Sequence, residues 1–191
     1  MIHDIRKHLG FVSGMMKIGN FSEAERYIEE LEAMPSLKRT VKLCDDPLLN
    51  VILSRYIDWS QELGITFHCD IKSSDFSFMD STSVTALFSN LLSNAVESAQ
   101  KSAEKRIDFS VVKNFEEEYV MISLVNSCDA APQTDIYGNF RTTKTNQRIH
   151  GYGLKSINRV IQKYNGISMP RYDSVAKMFH YIIRFPTTTA N

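Results

Sequence analysis

The sequence predicts an α+β chain, a helical hairpin followed by a mixed sheet with helices on one face. Three observations carry that expectation. Two segments with helical periodicity meet at a Gly-Asn break inside the first 36 residues. Strand-like runs rich in Val, Ile, Phe and Tyr then alternate with further helical segments, the order expected of a sheet with a helical cover. The longest of those helices, around residues 81–99, is apolar over most of its circumference, as a helix lying on a sheet should be.

Residues 2–18 place Ile5, Leu9, Val12 and Met16 on one helical face, and Gly19-Asn20 break the pattern. Ser22 and Glu25 read as a capping box that opens a second helix, with Tyr27, Ile28 and Leu31 as its stripe and Pro35 as its end. A short turn between two helices makes an antiparallel hairpin, which buries little alone and calls for a partner such as a second copy in a four-helix bundle. The division expected is therefore 1–36 for the hairpin and 37–191 for the rest. Residues 38–44 read as a short strand. Asp46 then caps a helix with Pro47 at its first position and Gly64 as its stop. "ITFHCDI" is a strand, and Asp80 caps the long helix. "RIDFSVVK" and "EYVMISLVN" are two strands joined by the charged turn "NFEEE". Residues 127–150 lack periodicity, run longer than ordinary loops and read as a functional lid. Residues 153–164 are helical, and "GISMPRY" with "KMFHYIIRF" close the chain as a hairpin.

Composition narrows the function. The 191 residues are 43% apolar and 23% charged, ordinary for a globular chain. Lys+Arg and Asp+Glu are 22 each, so no general field favours nucleic acid or an anionic membrane surface. The 3 cysteines, Cys44, Cys69 and Cys128, are widely spaced and odd in number, against a disulfide framework or a zinc site and in keeping with a reducing cytosol. No apolar run is long enough to span a membrane, so no direct membrane contact is expected of this segment. The start, "MIHDIRKHLG", opens within a helical pattern and reads as a fragment with a missing N-terminal part.

Four short motifs carry chemistry. In "NLLSNAVESA", Asn90, Asn94 and Glu97 stand at i, i+4 and i+7 on one helix face, opposite Val84, Leu87, Phe88, Leu91, Leu92, Ala95 and Ala99. A buried amide costs roughly 1–3 kcal/mol unless it is paired. Either these amides bond neighbouring backbone, or they are neutral oxygen donors suited to Mg²⁺ already surrounded by phosphates and water. In "HGYGL", with His150 and Leu154 at its ends, Gly151 and Gly153 open a helix where backbone N–H groups can approach an anion. Alone this is a turn signal. It gains weight from the preceding "TTKTNQR", where Thr143, Lys144 and Arg148 offer donors and cations, although Arg148 reads equally as a solvated loop residue. In "SLVNSC", Asn126 ends an apolar strand and could accept from an exocyclic amine of adenine, or serve only the turn. In "HDIRKHL", Asp4 follows His3 and can hold its Nδ1–H, leaving Nε2 as a nucleophile, whereas His8 lies nearer the packed face. His68 and His180 lie in strand patterns and receive no role.

Taken in order, these motifs resemble the cytoplasmic part of a bacterial sensor histidine kinase, of the quorum-sensing, Agr-type branch with a GHKL ATPase domain. The resemblance spans essentially the whole chain. It implies a dimerisation and phosphoacceptor hairpin, then an ATP-binding α/β sandwich, and so an ATP-dependent histidine autokinase of a two-component system. It implies a homodimer formed through the hairpin, a response-regulator receiver domain as recipient of the phosphate, and a membrane-anchored receptor of which this is the cytoplasmic portion. By resemblance His3 matches the phosphoacceptor and Asp4 the acidic residue after it. Asn94 matches the Mg²⁺ ligand, with Asn90 its companion, and Gly151 and Gly153 match the second glycine box. Glu97, Asn126, Thr143, Lys144, Arg148, His150 and Leu154 complete the expected ATP site. Asn126 stands where such kinases usually carry an aspartate-glycine signature, a variant known in this branch. Lys7 stands where an amide often serves dephosphorylation, which puts phosphatase activity in doubt. Two other readings are a GHKL ATPase that hydrolyses ATP and a non-catalytic nucleotide-binding and dimerisation module. Hydrolysis calls for a carboxylate one turn before Asn94, where this chain has Asn90, an amide and a poor general base.

Overall fold

In a computed structural model of the chain, residues 2–32, 42–72, 75–114, 116, 118–132 and 152–187 are described. The chain forms two compact units, residues 1–40 and 41–191.

The first unit holds α1 (Ile2–Lys17) and α2 (Phe21–Glu32). Gly19, at φ +77°, ends α1 in the left-handed conformation that glycine adopts without strain. Its N–H donates to Met16 O (3.1 Å) and that of Asn20 to Met15 O (2.9 Å), so the last carbonyls of α1 are satisfied by the turn itself. The expected capping box is not what opens α2. The helix starts at Phe21, and Ala24 N–H already bonds Asn20 O (3.2 Å), which leaves Ser22 inside the first turn. The compact turn at Gly19 brings the chain into helix one residue too soon for Ser22 to cap it. His8 Nδ1 and Tyr27 OH share a hydrogen bond of 2.8 Å, so His8 is a packing residue of the hairpin, as its position on the apolar face predicts. Leu9, Phe11, Met16, Ile18 and Phe21 are exposed.

The second unit opens with residues 42–46, which form no strand. The Leu43 and Cys44 N–H groups donate to the Asn50 side-chain oxygen (2.7 and 3.3 Å), so the donors a ladder would need are already taken. The rest of the strand expected at 38–44, residues 38–41, lies outside the described residues. Helix α3 (Pro47–Glu62) begins as expected, with Asp46 accepting from Leu49 N–H (2.8 Å) and Pro47 at its first position. It ends at Gly64, φ +67°, where Ile65 N–H reaches Ser60 O (2.8 Å).

Five strands follow among the described residues: β1 (Thr66–Ile71), β2 (Arg106–Asn114), β3 (Tyr119–Ser127), β4 (Ile167–Asp173) and β5 (Met178–Pro186). They lie in the order β1-β2-β3-β5-β4, with β1 and β2 parallel and the other pairs antiparallel. Residues 107, 109 and 111 of β2, 120, 122 and 124 of β3, and 181, 183 and 185 of β5 are buried, alternating with more open neighbours. One sheet face is therefore covered, by α3, α4 (Ser81–Ala99) and α5 (Tyr152–Lys163). Phe88 of α4 is fully buried, with Phe76 edge-on at 5.0 Å and Phe109 of β2 edge-on at 6.1 Å. Helices α4 and α5 are tied at one end. Asp80 caps α4 by accepting from Ser83 N–H (2.8 Å), and it also accepts from Lys163 and from the Tyr164 hydroxyl (2.7 Å) at the end of α5. These bonds, that to the Lys163 ammonium first, hold the Asp80 carboxyl well below the usual carboxylate range. Among the described residues no helix is long and apolar enough to cross a membrane.

Candidate functional site

The apolar arc of α4 packs on the sheet, so the stripe of Asn90, Asn94 and Glu97 faces away from it, between α3 and α5. All three are half-buried. Asn90 Nδ2 donates to Ala86 O (2.6 Å), one turn back, so part of this side chain is engaged with its own helix. Its oxygen points across to α5. A β-carbon added to Gly153 would lie 3.3 Å from Asn90 Oδ1 and 4.0 Å from Asn94 Nδ2. The absent side chain at Gly153 thus lets the first turn of α5 lie against both amides. Asn94 makes no side-chain hydrogen bond among the described residues, which leaves its amide open to a ligand. Burial mainly raises the pKa of Tyr56 on α3, and the charge of Glu97 adds to that rise.

Asn126 is only 4% exposed at the end of β3. Its Nδ2 donates to Ser127 O (2.9 Å), and the Ser98 hydroxyl of α4 donates to the same carbonyl (3.1 Å). Ser127 Oγ accepts from Arg106 N–H (3.0 Å) and donates to Arg106 O (3.3 Å). Just beyond, Asp129 accepts from Ala103 N–H (2.9 Å), and Cys128 O accepts from the Tyr172 hydroxyl (3.0 Å). The strand end is thus held on several sides before the chain enters the expected lid.

The result is a polar track along one helix. From Asn90 to Ser98 it runs about 12 Å at 1.5 Å per residue. Gly153 and the two amides lie at one end, Ser98 and Asn126 at the other. Ser98, which carries no motif signal in the sequence, continues the stripe one turn past Asn94. Leu154, in the first turn of α5, is partly buried and packs against the core. The backbones of His3 and Asp4 lie in the first turn of α1, but their side chains are outside what is described, as are Thr143, Lys144, Arg148, His150 and Gly151. Of the lid expected between Ser127 and Arg148, only residues 127–132 fall within the described residues.

Among the described residues no group of three or more His, Cys, Asp or Glu could hold a metal ion. The stripe offers neutral amide oxygens instead. Such donors suit Mg²⁺ only when phosphates and water complete its shell. A separate open cavity of about 740 Å³ lies at the N-terminal ends of α3 and α4, lined by Asp45, Asp46 and Asp75 among others, with Lys72. Its carboxylates would repel a polyphosphate, and its lining includes neither of the amides.

The family model of the GHKL domain matches residues 79–183. No curated protein matches the chain. Among solved structures, the catalytic domain of histidine kinase ThkA aligns at a TM-score of 0.55 and 20% identity, covering 74% of this chain and 91% of that one. The Acinetobacter baumannii histidine kinase AdeS aligns at 0.54 and 12% identity, covering 98% of each chain. Full-length ShkA, solved in complex with AMPPNP, aligns at 0.56 and 14% identity, covering 91% of this chain and 39% of that one. At these identities the likeness is one of fold.

Proposed function

Because the chain belongs to the GHKL domain family, we propose that it is an ATP-dependent protein histidine kinase, with the polar track of α4 as its nucleotide site. The observation that carries this is the approach of Gly153 to Asn90 and Asn94, a glycine-opened helix start against paired amides. A helix N-terminus with a free backbone approach favours a phosphate, and a neutral amide beside it adds a donor without charge repulsion. Asn94 would hold Mg²⁺, and a bound Mg²⁺ would neutralise charge on the phosphates. Lys144, Thr143 and Arg148 would reach the phosphates from the lid, with Gly151 extending the backbone donors. At the far end, Asn126 would accept from the exocyclic amine of adenine. ShkA, alike in fold, is solved with AMPPNP.

In this reading His3 accepts the γ-phosphoryl group through Nε2, and Asp4 holds Nδ1–H so that the correct nitrogen is free. The phosphate then passes to an aspartate of a response-regulator receiver domain. The exposed apolar residues of the hairpin, Leu9, Phe11, Ile18 and Phe21, support a homodimer made through that unit. A membrane-anchored quorum-sensing receptor would place the chain on the cytoplasmic side. The second reading, a non-catalytic nucleotide-binding and dimerisation module, shares the same track and differs only in whether phosphate reaches a histidine.

Incubation with γ-labelled ATP and Mg²⁺ tests the kinase. The expected product is phosphoprotein that is acid-labile and base-stable, and that is lost in Asn94→Ala. Binding of Mg-ATP without labelling would favour the non-catalytic module, and absence of binding would overturn both.

A further inference from the structure

We propose that Ser98 is a positioning residue for base recognition, fixing which face of the Asn126 amide meets the ligand. The inference rests on the nucleotide reading above and extends it to a side chain that need not touch the base.

A buried asparagine can turn either its oxygen or its nitrogen toward a ligand, and the surrounding hydrogen bonds decide which. Asn126 is nine-tenths buried and more. Its Nδ2 is committed to Ser127 O at 2.9 Å. Among the described residues its Oδ1 accepts no hydrogen bond. A flipped amide would set Oδ1 against the Ser127 carbonyl, acceptor against acceptor, and would be disfavoured. The orientation of Asn126 therefore depends on where that carbonyl points.

The carbonyl sits where the strand pattern fails. Along β3 buried and open residues alternate up to Asn126, but Ser127 is buried as well. At that break the Ser98 hydroxyl donates to Ser127 O at 3.1 Å. Two donors, Ser98 Oγ and Asn126 Nδ2, thus converge on one oxygen, one for each lone pair. Ser127 is itself braced by its two hydrogen bonds to Arg106. Ser98 lies one turn beyond Asn94 on the same helix. A single rigid element thereby places the phosphate-side amides directly and the base-side amide through one carbonyl. The chemical consequence is a fixed acceptor, selecting a purine with an exocyclic amine over one with a carbonyl in its place.

Calorimetric binding of Mg-ATP and Mg-ITP to the full chain tests this, because inosine carries a carbonyl where adenine carries the amine. The expected result is that ATP binds at least tenfold tighter than ITP in the unmodified chain. In Ser98→Ala that ratio should fall several-fold through weaker ATP binding, with ITP affinity unchanged. Ser98→Thr, which keeps the hydroxyl, should restore the ratio, and Asn126→Ala should bring it close to one. Thermal melts of each variant establish that the fold is kept. Equal weakening of ATP and ITP in Ser98→Ala, or an unchanged ratio, overturns the positioning role while leaving the nucleotide site intact. Failure of the unmodified chain to bind either nucleotide overturns the nucleotide reading itself, and this proposal with it.

Discussion

Replacing Gly153 by alanine separates a binding role from a folding role. The new methyl would lie 3.3 Å from Asn90 Oδ1, tighter than ordinary van der Waals contact, so the amide must give by a few tenths of an ångström. Asn90 is not free to swing, since its Nδ2 is held by Ala86 O at 2.6 Å. Two stability effects then oppose each other. Alanine is the better helix former by about 0.5–1 kcal/mol. Loosening the Asn90 hydrogen bond costs about 0.5–1.5 kcal/mol. The net change stays within about 1 kcal/mol, a Tm shift of only about 2–4 °C for a chain of this size. Binding has no compensating gain. Alanine keeps the backbone N–H, but its methyl would keep a phosphate from approaching it. Losing that one hydrogen bond to a charged phosphate costs about 1.5–3 kcal/mol, hence roughly 10- to 100-fold in affinity. Calorimetry with a non-hydrolysable ATP analogue and Mg²⁺, run beside a thermal melt, reads both quantities. A Gly153→Ala protein that melts normally and binds the analogue with unchanged affinity would refute the placement of phosphates at this helix start.

Three further outcomes follow from particular contacts. A β-carbon at Gly166 would come within 2.6 Å of the fully buried Phe185 ring, so Gly166→Ala should lower stability by about 1–3 kcal/mol in a denaturant titration, and an unchanged midpoint would show that the ring yields freely. The Asp75 carboxyl is lowered to about 2, chiefly by its hydrogen bond from Lys113 and then by Ser77; because the folded value lies below the unfolded one of about 3.9, its contribution is full above that value and vanishes as pH falls through about 2, so Asp75→Asn should flatten the loss of Tm between pH 4 and 2. His3→Gln should abolish labelling from γ-labelled ATP, whereas His8→Gln, which disturbs the bond to the Tyr27 hydroxyl (2.8 Å), should keep it; labelling that survives His3→Gln and disappears in His8→Gln would reverse the assignment.

Much of the fold is legible in the sequence because its signals are local. Asp46-Pro47, Gly64 and Asp80 each act within a few residues, and each marks a helix end in the structure. The strands of the sheet, period-two runs between turn residues, emerge from the same kind of pattern. The failures are also local in cause but not in signal. Residues 42–44 have strand propensity, yet Asn50 takes their donors, a competition that only the packed structure reveals. Ser22 fits a capping box, but the turn at Gly19 starts the helix at Phe21. In the site, the spacing of Asn90 and Asn94 gives their shared face without any knowledge of tertiary structure. Their meeting with Gly153, more than fifty residues on, depends on how α4 and α5 pack. Ser98 lay in plain view on the stripe, but its partner is a backbone carbonyl, and backbone acceptors leave no mark in a sequence.

The division of labour along α4 bears on which reaction the site can perform. Activating water for hydrolysis needs a proton acceptor at the phosphate end. Asn90 occupies the end proposed for the phosphates, and an amide cannot take the proton. Moreover its nitrogen is spent on Ala86 O and its oxygen faces Gly153, so its geometry is that of a spacer between two helices. The carboxylate of the stripe, Glu97, lies seven residues further, about 10 Å along the axis, on the side toward Ser98 and Asn126. In the proposed site, Asn94 would meet the phosphates as a neutral amide while the carboxylate of the stripe stands at a distance. Among the described residues the track would therefore position a phosphoryl group without supplying a base to activate water. Under the proposed kinase reading the nucleophile brings its own activation, as an imidazole oriented by an adjacent carboxylate does, and His3 with Asp4 is the pair proposed for that role.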